Sequence, residues 1–230
     1  MLVSVIVPAL NEVQNIRRAV AAARRAYGPD EVEIVVVDGG SSDGTLDRVP
    51  GDAKRIRAPR GRATQMNAGA RVSHGELLVF CHADSQLPAG WREAVIAALS
   101  RPGVVGGTFQ TSILPARGIL RLRNRWTFPA NWRFMMGDQV QFTSRATFDR
   151  VGGFSEIPLM EDIEMSRALH RVGELVRIPL RVITSSRRFL ERGPARQWLL
   201  NLWNMARYLY LGATPEEIAR SYRSGREGGT

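Results

Sequence analysis

Four short stretches carry residue types that could do chemistry: Asn11-Glu12, Asp38, His82-Ala83-Asp84 and Glu161-Asp162. Each of the first three follows directly on an apolar run, at residues 2–7, 32–37 and 76–81. A single Asp after such a run more often forms a turn or caps a helix than binds a ligand. Several at one edge are another matter. Buried carboxylates without partners are costly, so a group of them should meet hydrogen-bond donors, a ribose or a cation. Glu161 and Asp162 stand at the start of a predicted helix, 158–171, where the N-terminal N–H groups and the dipole favour the ionised form. An ionised carboxylate there can take a proton from a hydroxyl. Without the other stretches, the pair would pass for ordinary first-turn acids.

The elements that would position these groups alternate. Valine-rich runs at 2–7 and 32–37, a weaker run at 53–57 and another at 76–81 predict strands. Helical spacing at 12–27, 62–71 and 88–99 separates them. This alternation predicts an α/β fold with a mostly parallel, doubly wound sheet flanked by helices. Ligands of such sheets bind outside the carboxyl ends of the strands, where the polar stretches fall. The second half predicts strands at 104–112, 139–143, 175–178 and 182–185, with helices at 158–171, 194–211 and 215–222. No repeat or linker divides the chain, so residues 1–223 are expected to form one domain and 224–230 a disordered tail.

Composition narrows the function classes. The 230 residues are 44% apolar, enough for a packed core. Cys81, the single cysteine, lies in an apolar run and excludes a disulfide framework or a cysteine-based zinc site. No run is long enough to span a bilayer, so the expectation is a cytoplasmic protein, peripheral on the inner face of the membrane if it meets one. The net charge of +10 comes from arginine, Lys54 being the one lysine. Arginine suits phosphate contact, and such a balance fits nucleic acid, an anionic membrane or phosphorylated substrates equally. No nucleic-acid motif accompanies it. Arginines 117, 121, 123, 125 and 133 interleave with Leu120, Trp126, Phe128, Trp132 and Phe134. The helix at 194–211 repeats the pattern with Leu199, Trp203 and Tyr210. Both segments predict an amphipathic surface for a lipid or membrane, against the simpler expectation that they pack on the domain.

Several motifs together are more specific. Val5-Ile6-Val7-Pro8-Ala9-Leu10-Asn11-Glu12, and then Val35-Val36-Val37-Asp38-Gly39-Gly40-Ser41-Ser42-Asp43-Gly44-Thr45, resemble the opening of family-two glycosyltransferases of the Rossmann-like GT-A fold. Arg60-Gly61-Arg62-Ala63-Thr64-Gln65-Met66-Asn67 resembles their next helix. His82-Ala83-Asp84-Ser85 falls where they keep an Asp-X-Asp motif. Val151-Gly152-Gly153-Phe154 and Met160-Glu161-Asp162-Ile163-Glu164 resemble their acceptor-side loop and catalytic helix. Gly137-Asp138-Gln139 and Ser185-Ser186-Arg187-Arg188 resemble a small bacterial single-domain subgroup. These motifs follow the family's order across about three-quarters of the chain.

The resemblance implies an inverting transfer of a sugar from a nucleotide-diphosphate donor to an acceptor hydroxyl. It implies that Pro8, Leu10, Asn11 and Glu12 line the nucleotide pocket, with Asp38 accepting from the nucleobase. Asp84 would hold Mn²⁺ or Mg²⁺ on the diphosphate, and Arg62 or Arg188 would contact phosphate. Asp162 would be the general base, and Gly153, Asp138, Gln139 and Glu161 would lie on the acceptor side. His82 departs from the pattern: imidazole can ligate Mn²⁺ or bond a ribose but is no hard anionic ligand for Mg²⁺. Two other functions compete. A sugar-phosphate nucleotidyltransferase would need a Gly-rich, basic triphosphate loop where Pro8-Ala9-Leu10-Asn11-Glu12 stands. A non-catalytic nucleotide-, lipid- or nucleic-acid-binding module would not need Asp38, Asp84 and Asp162 together.

Overall fold

In the computed structural model, which describes residues 1–125, 129–135 and 137–227, the valine-rich runs become the centre of an eight-stranded sheet. Strands β1 (Val3–Ala9), β2 (Val32–Asp38), β3 (Lys54–Arg57) and β4 (Leu77–Phe80) pair in the order β3-β2-β1-β4, all parallel. The sheet continues through β7 (Gln141–Ser144), β6 (Val104–Leu114), β8 (Glu174–Ser185) and the short β5 (Ser85–Gln86). Antiparallel pairs are confined to β7 and β5, so the expected mostly parallel sheet is present with a mixed second half.

Both faces are covered, which is why the central strands are apolar at nearly every position, Ser4 and Glu33 excepted, rather than at alternate ones. Val3, Val5 and Val7 face α1 (Ile16–Arg24) and α3 (Trp91–Leu99). Ile6, Val35 and Val37 face α2 (Arg62–Val72), α5 (Arg145–Val151) and α6 (Glu161–His170). Gly69 permits the close seat of α2: a Cβ there would lie 2.5 Å from Ile6 Cγ2.

Helices α4 (Ile119–Arg125), α7 (Arg187–Arg192), α8 (Pro194–Tyr210) and α9 (Pro215–Glu227) complete the chain. Several elements differ from expectation. The two strands predicted at 175–178 and 182–185 are one strand, β8, whose register against β6 skips from Ile178 to Arg181. The bulge takes up Pro179, which has no N–H for the ladder. Helices α4, α5 and α7 are too short for a periodic signal, and α5 is set by its cap, since Ser144 Oγ accepts from Thr147 N–H at 3.1 Å. Helix α9 continues through residues 224–227, into the segment expected to be a disordered tail.

β1 is the switch point of the sheet, with β2 on one side and β4 on the other. Its last pair with β4 is Ile6–Phe80, so the two strands part there and Pro8 lies beyond. A crevice opens at that edge. The antiparallel β7 brings its amino end to the same edge, where β4, β6 and β8 bring their carboxyl ends. Asp138 is thereby delivered to the region that receives Asp84.

Candidate active site

The loops after β1 and β2 brace each other. Asn11 N–H donates to Ser41 Oγ at 2.9 Å, Ser42 N–H to Asn11 Oδ1 at 3.0 Å, and Glu12 N–H to Thr45 Oγ1 at 2.8 Å. Asp38, fully buried, accepts from the N–H groups of Gly40 and Ser41, each at 3.1 Å. Beneath them Gln65 Nε2 donates to the carbonyls of Ala9 and Val37, at 2.9 and 2.7 Å, tying α2 to both strand ends. Glu12 is engaged as well: Asn15 Nδ2 donates to it at 2.7 Å and Arg187 pairs with it at 2.9 Å. Pro8, Leu10, Asn11, Glu12 and Asp38 thus form one rigid edge, two of whose carboxylates already serve as loop acceptors.

A cleft of about 210 Å³ is lined by none of these five residues. Arg62, His82, Asp84, Asp138 and Asp162 line it, joined by Arg123, Thr184 and Ser185. Asp84 is held because β5 pairs with β8 immediately after it, and Ser185 N–H donates to its carbonyl at 3.1 Å. Facing these groups, α8 supplies Gln197, Trp198, Asn201, Leu202, Asn204 and Met205. Sequence patterning placed α8 only as an amphipathic helix and missed this wall.

Helix α6 separates its first two acids. Glu161 is sunk beneath the surface and pairs with Arg62 at 2.7 Å. Burial pushes its carboxyl above the usual range, Arg62 opposes that shift and neighbouring Asp162 adds to it. Asp162 faces the cleft, accepting from Ile163 N–H at 2.8 Å, while Gln141 Nε2 donates to its backbone carbonyl at 2.8 Å. The residue before the pair, Met160, has φ 71°. Asn11, with φ 55°, precedes Glu12, and Val140, with φ 54°, follows Asp138-Gln139. Side-chain-bearing residues seldom adopt these values, and a β-branched one least of all. Strain of this kind collects where a surrounding site imposes it.

Several expected site residues have other tasks. Gly153 does not line the cleft. With φ 72° it closes the turn after α5, and Asn67 clamps Phe154 from both sides, its Oδ1 and Nδ2 each 2.9 Å from the backbone. Phe154 packs against Phe80 and Phe148. Gln139 is buried under the cleft floor, where its Oε1 accepts from Arg177 at 2.6 Å and its Nε2 donates to Phe134 O at 2.8 Å. Burial pulls the Arg177 guanidinium down to about 10. The side chain of Arg188 and residues Trp126 and Phe128 lie outside the described residues. Within the Arg/aromatic segment, Arg123 turns inward to Asp138, and Arg133 and Arg167 both stack on Trp132. Burial pushes the Cys81 thiol far up, which leaves it an inert core residue.

Residues 4–155 match the family model for glycosyl transferase family 2. The chain belongs to that family. This family 2 member is 26% identical over 201 residues to the probable glycosyltransferase YdaM of Bacillus subtilis, an alignment covering 76% of this chain and 48% of YdaM. The chain therefore spans about half the length of that relative. Its fold matches the mannosyltransferase PcManGT of Pyrobaculum calidifontis, solved with GDP-Man and Mn²⁺, with a TM-score of 0.65 at 19% identity over 99% of this chain and 76% of that one. TarS of S. aureus, solved with UDP, matches with a TM-score of 0.64 at 17% identity over 83% of this chain and 63% of that one. The GT-A architecture expected from the motifs is the architecture found.

The charges of the cleft constrain what can enter. Three carboxylates and two guanidinium groups line it, and Arg62 and Arg123 are each paired with a carboxylate. The chain is strongly basic, yet this wall is not. A diphosphate would meet net negative charge there. Among the described residues, no three His, Cys, Asp or Glu side chains form a complete cage for a cation.

Proposed function

We propose that the chain transfers a sugar from a nucleotide-diphosphate donor to an acceptor hydroxyl, with inversion, and that Asp162 is the general base. The observation that carries this is the split of the acidic pair on α6. Glu161 is buried against Arg62, while Asp162 opens onto the cleft that Asp84 also lines. A base and a diphosphate site in one cleft match the two charges that sugar transfer creates. The acceptor hydroxyl loses its proton to Asp162 as its oxygen bonds the anomeric carbon, and the nucleoside diphosphate leaves from the opposite face. That geometry inverts the anomeric centre.

Asp84 would hold a divalent cation, with His82 as a further ligand or a bond to ribose. The donor set fits. A diphosphate cannot approach three carboxylates without a counter-charge, and such cations need only one or two protein carboxylates when phosphate oxygens and water complete the shell. When bound, the cation supplies charge stabilisation to the leaving diphosphate. The nucleoside would lie along the edge of Pro8, Leu10, Asn11, Glu12 and Asp38, and Arg62, which lines the cleft while paired with Glu161, would contact phosphate. The like-folded PcManGT and TarS, solved with GDP-Man and UDP, favour this class of donor.

The acceptor we infer to be a lipid or another amphipathic molecule, met at the inner face of an anionic membrane. Helix α8 supports this, because its two faces differ in role. Trp198, Leu202 and Met205 line the cleft, whereas Leu199, Trp203 and Tyr210 stand more than half exposed on the other side. An apolar outer face this large on a basic chain fits an anionic lipid surface. No helix among the described residues is long and apolar enough to cross a membrane.

The decisive experiment is Asp162→Asn. Calorimetry should give donor affinity within about threefold of wild type, while transfer or donor hydrolysis falls at least a hundredfold, the range of a lost general base. Release of pyrophosphate in place of nucleoside diphosphate would favour a nucleotidyltransferase. Wild-type turnover by the variant removes Asp162 from the mechanism.

A further inference from the structure

Asp138 stands in the cleft with no step of sugar transfer yet requiring it. Its surroundings are built rather than incidental. Arg123, 8% exposed, fixes Oδ2 at 3.3 Å, and the hydroxyls of Thr111 and Thr184 each donate to the Asp138 carbonyl at 3.3 Å. Oδ1 is closed off from bulk water and has no hydrogen-bond partner. On the α8 wall of the same cleft, Asn204 is 1% exposed, and its Nδ2 also has no partner. An open acceptor and an open donor in one cleft call for an occupant that both donates and accepts, as a hydroxyl does.

The position of Asp138 narrows that occupant further. Burial pushes its carboxyl above the usual range, Arg123 opposes this, and the charges of Asp162 and Asp84 both add to it. Asp138 lines the same cleft as the base, Asp162, and the diphosphate-site residue, Asp84. The sugar in transit must lie between those two groups. We propose that Asp138 Oδ1, with Asn204 Nδ2, binds hydroxyl groups of the transferred sugar and so selects among nucleotide sugars. This rests on the transferase assignment above. A rigid acceptor of this kind discriminates strongly, because a sugar lacking the matching hydroxyl leaves a buried polar atom unpaired.

Calorimetry in Mn²⁺ tests it with UDP and GDP beside UDP-glucose, UDP-galactose, UDP-GlcNAc and GDP-mannose. Asp138→Ala should weaken the sugar nucleotide that wild type prefers about ten- to a hundredfold, and the matching bare diphosphate less than twofold. The ratio between glucose and galactose donors should move toward one. Asp138→Asn, which keeps an oxygen acceptor for Arg123, and Asn204→Ala should shift the same ratio in the same direction, and they carry the test if the alanine variant fails to fold. Equal loss for sugar nucleotide and bare diphosphate would put Asp138 on the cation instead and overturn the proposal. No loss for either also overturns it. Wild-type protein that binds bare diphosphates but no sugar nucleotide overturns this inference alone. Binding of none of the six overturns the transferase assignment with it.

Discussion

Removing Arg62 while leaving Glu161 in place should give a stability loss that depends on pH in a predictable direction. Glu161 is 2% exposed and its ion-pair partner is 2.7 Å away, whereas Arg62 is 37% exposed and can reach water without the pair. In Arg62→Ala the buried carboxylate has no counter-ion, so the cheaper course is to bind a proton. Holding a glutamate neutral at pH 7, from an unfolded value of about 4.3, costs about 1.4 kcal/mol per pH unit, or about 3.7 kcal/mol. This sets a ceiling on the loss, within the range seen when one partner of a buried pair is removed. The sign follows from proton counts. The folded variant holds the proton and the unfolded chain does not, so stability falls as pH rises above about 4.3. At pH 5 the same term is only about 1 kcal/mol. Urea denaturation at pH 5, 6 and 7 should show the deficit of Arg62→Ala growing across that window. Adding Glu161→Gln should recover most of the loss at pH 7 and flatten the pH dependence. A deficit of equal size at pH 5 and pH 7 would refute the argument.

Two further outcomes are expected. Asp84→Ala should weaken Mn²⁺-dependent binding of a nucleoside diphosphate at least tenfold, because the cation loses its anionic ligand; calorimetry giving equal affinities with Mn²⁺ present would remove Asp84 from the metal site. Flotation with anionic vesicles at low salt should carry the protein upward, and replacing exposed Leu199 and Trp203 by serine should reduce this at least fivefold, since each buries an apolar side chain in the headgroup boundary; protein that stays at the bottom with anionic vesicles refutes membrane contact.

The first half of the fold was legible in the sequence because both faces of its sheet are covered. Residues 2–7 and 32–37 are apolar except at Ser4 and Glu33, and runs this short, rich in β-branched residues and bounded by turn formers, read as strands. The order Asn11-Glu12, Asp38, Asp84 was legible for a related reason: each follows a strand directly, so chain position specifies place. Legibility fails where position depends on pairing across the sheet. Asp138 reaches the cleft only because β7 runs antiparallel, and no local signal marks that direction. Arg123 stands among exposed arginines in sequence, yet turns inward because Asp138 is there to meet it. Gln65 was quoted within a helix, and nothing local announces that its amide spans two strand ends.

Left-handed backbone at Asn11, Val140 and Met160 was equally unreadable, and for a physical reason. Asn tolerates this conformation better than most residues while Val and Met seldom take it, and at each position the surroundings fix it. At Asn11 the cross-bracing to Ser41 and Ser42 imposes it. At Met160 the constraint is α6, whose first turn must send Glu161 inward to Arg62 and Asp162 outward to the cleft. Consecutive residues of a helix lie about 100° apart, so one residue can be buried and its neighbour open only if the helix enters at a fixed angle. The left-handed residue just before it supplies that entry. At Val140 the two sides are Gln139, bound to Arg177 under the floor, and Gln141, bound to the Asp162 carbonyl. The strained link between two such anchors sets the height at which Asp138 stands in the cleft. Strain at all three places is thus spent on aiming a neighbouring polar side chain, which is how a sheet edge of common residues becomes a site.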